Sequence, residues 1–173
     1  MYKKFDIEYN KEILLEIYKL NKSGPLISKG PFNQLDINLE NNPEVVKLFN
    51  YFTCISPAIN GYCGISELNY STVPHVSPKN NGLIIFPLRG TILTKFFSYN
   101  PESVNGRPEL IRELPSLKAR SDLYNSFIEE VVIDKPTAIN GLVVHQYTPV
   151  DNVAVFFCLK IPLYVDWNTV DKF

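Results

Sequence analysis

Two stretches decide the fold: Leu83-Ile84-Ile85-Phe86-Pro87-Leu88 and, just beyond, Thr91-Ile92-Leu93-Thr94-Lys95-Phe96-Phe97. Each is short and rich in β-branched and aromatic side chains, and the segments of this kind are separated by Pro, Asn and Gly. That is the signature of strands. The same texture recurs at residues 65–73, 127–133, 141–147 and 153–161. Six such runs predict a mainly β domain, a sandwich or jelly roll. Residues 100–126 form the one long insertion, polar and proline-bearing, with 119–125 readable as a helix. Insertions of that length between strands often serve as lids or contact surfaces.

Ahead of the strands the period changes. Ile13, Leu14, Ile17, Tyr18 and Leu20 recur at helical spacing, with Asn10 as N-cap and Gly24-Pro25 to stop the run. A second helix is better marked. Asn42 caps it, Pro43 takes its first position, and Val45, Val46, Leu48, Phe49 and Phe52 form its apolar face. Between the two, Gly30-Pro31 and residues 33–41 read as loop, with one short strand as an option. The division is one domain over 1–173: a helical support at 1–60, a β core at 65–162 and a tail at 163–173. Trp167 in that tail, the chain's one tryptophan, is either a contact element or packed on its own barrel.

At 173 residues the chain has the size of one domain, and 45% hydrophobic content supplies a sizeable core. A net charge of −1, from 17 basic and 18 acidic side chains, argues against a phosphate-gripping, nucleic-acid-binding surface. No apolar run approaches the ~20 residues of a membrane helix, and no secretory leader is visible at the start. Cys54, Cys63 and Cys158 form no CxxC pair and leave one over if two bridge, which favours a reducing compartment. The expected location is the cytoplasm, or a host cytoplasm or virion if the chain is viral, a source suggested by abundant Asn, Lys, Ile and Tyr.

His75 and His145 are the chain's two histidines. Strand alternation puts His145 on one face with Val143 and Tyr147, and would point His75 and Ser77 the same way if that segment is extended. A lone histidine of this kind is ordinarily a satisfied core or rim residue. The surroundings shift that balance. His75-Val76-Ser77-Pro78, the two strands quoted at the outset, then Pro136-Thr137-Ala138-Ile139-Asn140-Gly141-Leu142-Val143-Val144-His145, and a closing strand at 153–161 follow in a fixed order. In that order and spacing the chain resembles the iron- and 2-oxoglutarate-dependent oxygenases, above all small aspartyl/prolyl-hydroxylase-like members common in phages. The resemblance spans residues 65–162 and implies a double-stranded β-helix, the cupin-like jelly roll.

It further implies a metal centre in which two histidines and one carboxylate hold Fe(II) beside 2-oxoglutarate. The carried-over histidines are His75 and His145. The carboxylate position falls on Ser77, whose neutral hydroxyl is a poor ligand for a hard divalent cation. The arginine that would hold 2-oxoglutarate falls on Ala154. Alternatives for the cosubstrate are Lys95, 20 residues after His75, and Arg89; for a metal-ligating acid they are Glu67 and Asp151. A small residue in the aspartate position is also what related halogenases use to admit chloride. No phosphate loop, dinucleotide fingerprint, nucleophile elbow or H-E-x-x-H is present, and a Cys63 or Cys158 nucleophile paired with His145 competes with plain buried cysteine. The expected function is therefore a catalytically degenerate jelly roll acting in binding or assembly, through protein partners or a homo-oligomer, with a viral (phage) structural or accessory component as the setting the resemblance suggests. The rival is an active hydroxylase that uses Fe(II) and 2-oxoglutarate with an unusual ligand set, and a small-ligand binder is a third class.

Overall fold

The computed structural model describes residues 1–39, 41–52, 63–76, 81–98, 127–162 and 165–170. The predicted insertion at 100–126, including its helix at 119–125, lies outside them, as do Cys54 and Ser77.

Both predicted helices form, and their caps act as read. α1 (Lys11–Asn21) starts where the Asn10 side chain accepts from the Ile13 amide at 3.1 Å. α2 (Pro43–Tyr51) starts where Asn42 accepts from the Glu44 and Val45 amides at 3.0 and 3.4 Å. Such caps satisfy N–H groups that have no partner inside the helix. Leu14 and Tyr18 of α1 and Val45, Leu48 and Phe49 of α2 face inward.

Strands β1 (Tyr2–Lys4), β2 (Leu26–Lys29), β3 (Phe32–Leu35), β4 (Cys63–Leu68), β5 (Gly82–Arg89), β8 (Thr137–Asn140) and β10 (Ala154–Ile161) form one antiparallel sheet in the order β1-β8-β5-β10-β4-β3-β2. Strands β6 (Ile92–Phe97), β7 (Phe127–Ile133) and β9 (Val144–Pro149) form the second, in the order β7-β6-β9. Residues 72–75 run along the free side of β9. His75 and His145 exchange backbone hydrogen bonds at 2.9 Å in both directions, and the Thr72 amide donates to the Tyr147 carbonyl at 2.8 Å. Following the chain from β4, segments alternate between the sheets: β4, then 72–75, β5, β6 with β7, β8, β9 and β10. Two four-membered layers, β8-β5-β10-β4 and β7-β6-β9 with 72–75, face one another as a double-stranded β-helix. The expected jelly roll is the observed one.

The large sheet is apolar on both faces. On β10, Val155, Phe157, Leu159 and Ile161 join the core under the helices, while Ala154, Phe156 and Cys158 join the core between the sheets. A strand buried on both sides reads as an uninterrupted apolar run, because neither set of alternate positions meets water. The helices cover the outer face of this sheet. The short α3 (Trp167–Val170) folds back onto the same core, with Val170 buried and Trp167 packed against it.

Three local readings are corrected. Residues 26–35 form the hairpin β2–β3, turning at Gly30 with φ +65°, rather than loop with one short strand; Asn33 and Gln34 sit in half-buried strand positions, where periodicity is weak. Strand 65–73 ends at Leu68, because the Asn69 amide turns to the Pro31 carbonyl at 3.0 Å. The segment 141–147 begins as a turn. The Asn140 side chain accepts from the Leu142 amide at 3.0 Å, so β8 ends at Asn140 and β9 starts at Val144.

Candidate functional site

The strand exchange between 72–75 and β9 sets His75 and His145 directly opposite one another, so both side chains project from the same side of the small sheet. Their ring centroids are 4.6 Å apart at an interplanar angle of 54°. His145 is fully buried, and His75 is half-buried at the edge. The 72–75 segment is held by more than this pair. The Thr72 hydroxyl accepts from the Tyr147 amide at 2.9 Å, and the Gln146 amide side chain donates to the Thr72 carbonyl at 2.8 Å.

Both rings are oriented by backbone. His75 Nδ1 lies 2.8 Å from the Val73 carbonyl, and His145 Nδ1 lies 2.7 Å from the Val143 carbonyl. A carbonyl only accepts, so each Nδ1 carries a proton and the lone pair of the neutral ring is on Nε2. Burial, followed by the neighbouring His75, pushes the His145 pKa down to about 3, so this ring is neutral at ordinary pH. His145 Nε2 has no hydrogen-bond partner.

Two further polar groups share this interior. Thr94 and Tyr147 are cross-strand partners on β6 and β9, and both are buried. The Thr94 and Tyr147 hydroxyls, like His145 Nε2, are without partners. Burial pushes the Tyr147 phenol upward, so it stays protonated. Around them pack Leu68, Ile85, Phe96, Ile139 and Phe156. Sequence alone placed Tyr147 on the His145 face but did not single out Thr94. Its signal is a hydroxyl in the apolar alternation Ile92, Thr94, Phe96.

The two imidazoles come together, with Nδ1 of each ring anchored on a carbonyl, which is how metal-ligating histidines are usually held. The rest of an Fe(II) centre does not assemble among the described residues, where no three His, Cys, Asp or Glu side chains are grouped to hold an ion. Ser77, at the carboxylate position, lies outside them.

The other candidates point elsewhere. Lys95 pairs with Gln146 and Glu130 in the register, while its neighbours Thr94 and Phe96 face inward, so Lys95 projects from the outer face. There its ammonium sits 4.0 Å from Glu130. Arg89 is carried to the helix side by a β-bulge, since β10 pairs Val155 with Arg89 but Phe156 with Pro87 and Leu88 is the extra residue. Its guanidinium lies 5.5 Å from the Tyr18 ring and 3.5 Å from the Tyr18 hydroxyl. Glu67 accepts from that same hydroxyl. Asp151 is exposed between β9 and β10. Cys63 and Cys158 are both buried thiols, but Cys63 belongs to the helix-side core and Cys158 to the core between the sheets, so they do not bridge. Of these two, Cys158 alone shares the interior with His145.

No protein-family model matches the chain, and no curated protein matches it. Two solved structures are similar in outline. One is Drosophila melanogaster CENP-C bound to CAL1, with a TM-score of 0.47 and 8% identity over 87% of this chain and 97% of that one. The other is the Drosophila melanogaster CENP-C cupin domain, with a TM-score of 0.34 and 8% identity over 88% and 99%. The double-stranded β-helix stands on this chain's own strand order. No described helix is long and apolar enough to cross a membrane.

Proposed function

We propose that this chain is a jelly-roll binding or assembly protein whose scaffold derives from an Fe(II)/2-oxoglutarate oxygenase and no longer supports that reaction. The observation that carries this reading is the company His75 and His145 keep. Two imidazoles meet an interior of Leu68, Ile85, Phe96, Ile139 and Phe156, while Lys95 and Arg89 project from other faces of the barrel. Binding the two carboxylates of 2-oxoglutarate inside such an interior without a cation would strip an anion of water with little in return. A rigid β scaffold remains suited to presenting surfaces to other proteins.

The facing imidazoles favour a second reading, a divalent-cation site completed from outside the described residues. Anaerobic titration with Fe(II) and 2-oxoglutarate separates the two. The first reading expects no visible charge-transfer band and no stoichiometric iron uptake. Micromolar uptake that His145→Ala abolishes would overturn it in favour of the second.

A further inference from the structure

The segment that leads from β1 to α1 runs along α2, and the two are fastened at three points. At one end the Phe5 ring meets the Phe52 ring edge-on at 5.3 Å. In the middle the Lys47 ammonium donates to the Glu8 carbonyl at 3.4 Å. At the other end the Asn10 amide donates to the Glu44 carboxylate at 2.7 Å. Between the first two fastenings lies a cavity of about 380 Å³, a volume within the ~300–1,000 Å³ of small-molecule sites. Ile7, Leu48 and Tyr51 are its apolar lining, the first two packed into the helix-side core and Tyr51 46% exposed. Among the polar lining residues, Asp6 is engaged by Lys135 at 2.5 Å and Lys47 by Glu44 at 3.8 Å. The Glu8 carboxylate, the Asn50 amide side chain and the Tyr51 hydroxyl have no partner among the described residues.

We propose that this cavity binds a small organic cation, a primary amine carried on an apolar body. The argument is charge complementarity. Glu8 brings a carboxylate without a counter-ion, whereas Asp6 and Glu44 each have an ammonium beside them. The cavity also lies at the C-terminal half of α2, the negative end of the helix, where the last carbonyls lack intrahelical partners and the last turn carries no basic residue. Tyr51 adds an exposed aromatic ring, a surface that attracts cations. An ammonium has three N–H donors. The Glu8 carboxylate, the Asn50 side-chain carbonyl and the Tyr51 hydroxyl oxygen supply acceptors for them, while Ile7 and Leu48 take the apolar body. An anion would meet both Glu8 and the helix end with the wrong sign, and a neutral molecule would leave Glu8 without a counter-charge. The site deepens the binding reading, on which it rests, by giving it a ligand class. It stands on the helix side of the large sheet and uses neither histidine. The fastenings on either side hold the cavity open before any ligand arrives, so little ordering has to accompany binding.

Amide NMR titration of the full chain at pH 7 tests this, with 2-phenylethylamine as the probe. Its neutral and anionic counterparts, 2-phenylethanol and 3-phenylpropionate, serve as comparisons. The amine should bind with a dissociation constant of about 0.1–10 mM, as expected for so small a molecule, and shift the amides of residues 6–8 and 47–51. The alcohol should bind at least about threefold more weakly and the acid more weakly still. Raising the salt should weaken the amine and leave the alcohol unchanged. Glu8→Gln should cost the amine about three- to fivefold, the size of a partly exposed ion pair, and Tyr51→Ala a similar factor. Both residues are exposed, so thermal melts of the two variants should match wild type. An amine that shifts no amide in these two segments by 10 mM would overturn the site, as would an alcohol that binds equally well or a Glu8→Gln variant of unchanged affinity. None of these outcomes depends on iron uptake, so the amine site and the proposed function can each fail alone.

Discussion

The large sheet is buried on both faces at its centre; the small sheet is buried on its inner face and, on its outer face, at the Phe97–Val144 pair, while Val132 stays exposed. The difference shows in what each core tolerates. Under the helices, Phe86 packs against Tyr9, Phe52 and Phe157 at ring separations of 5.3, 6.2 and 5.6 Å. Between the sheets, apolar side chains share space with three polar atoms that have no partner. Nearly all buried polar groups in folded proteins are hydrogen-bonded, and a bare one costs about 1–3 kcal/mol. The helix-side core supplies cohesion. The inner face of the small sheet is where stability has been given up, a local inconsistency of the kind that functional sites carry.

The sharpest way to break this contrast is to hollow out the stronger side. Phe86→Ala should cost about 3–5 kcal/mol, the toll for deleting a buried aromatic ring, seen as a large drop in the denaturant midpoint. A loss under about 1 kcal/mol would mean that the helix layer carries little of the fold.

Acid should strain the small sheet next. The folded-state pKa of His145 is depressed to about 3, against ~6.5 in an unfolded chain. The unfolded state therefore binds the proton first. The stability from keeping His145 neutral is full above pH ~6.5 and is lost as pH falls toward about 3, by up to about 1.4 kcal/mol per pH unit. Between about pH 6.5 and 5 ordinary carboxylates remain ionised, so His145→Leu should flatten that part of the stability profile. An unchanged slope would place the pH dependence elsewhere.

A gain is expected where the interior is polar without reward. Thr94→Val removes an unpartnered buried hydroxyl at constant shape and should stabilise the fold by about 1 kcal/mol. Destabilisation instead would show that the hydroxyl has a bound partner such as water. The smallest effect belongs to the outer face. With Lys95 and Glu130 both about half exposed and 4.0 Å apart, Lys95→Gln should change stability by less than about 0.5 kcal/mol. A larger change in thermal melts would make this pair a structural element of the fold.

Much of the fold could be read directly. The caps at Asn10 and Asn42 and the strand at 127–133 occur where the residues predict them, because each depends on neighbours in sequence. Elements whose partners are distant were hidden. β1 is three residues long and is a strand only because β8 pairs with it; the hairpin β2–β3 is fixed by β3 pairing with β4. The site divides the same way. Alternation put Tyr147 beside His145, but it could not foresee that Leu88 bulges out and turns Arg89 toward Tyr18, or that Lys95 faces away from the histidines.

By itself the sequence determined the alternation of buried and exposed positions and the helix ends, since these follow from side-chain chemistry and local periodicity. Only the tertiary structure decided that two histidines far apart in the chain oppose one another, and on which face each charged side chain lies. A strand's partner and register are set by long-range pairing, and a single extra residue in one strand reverses where its side chains point.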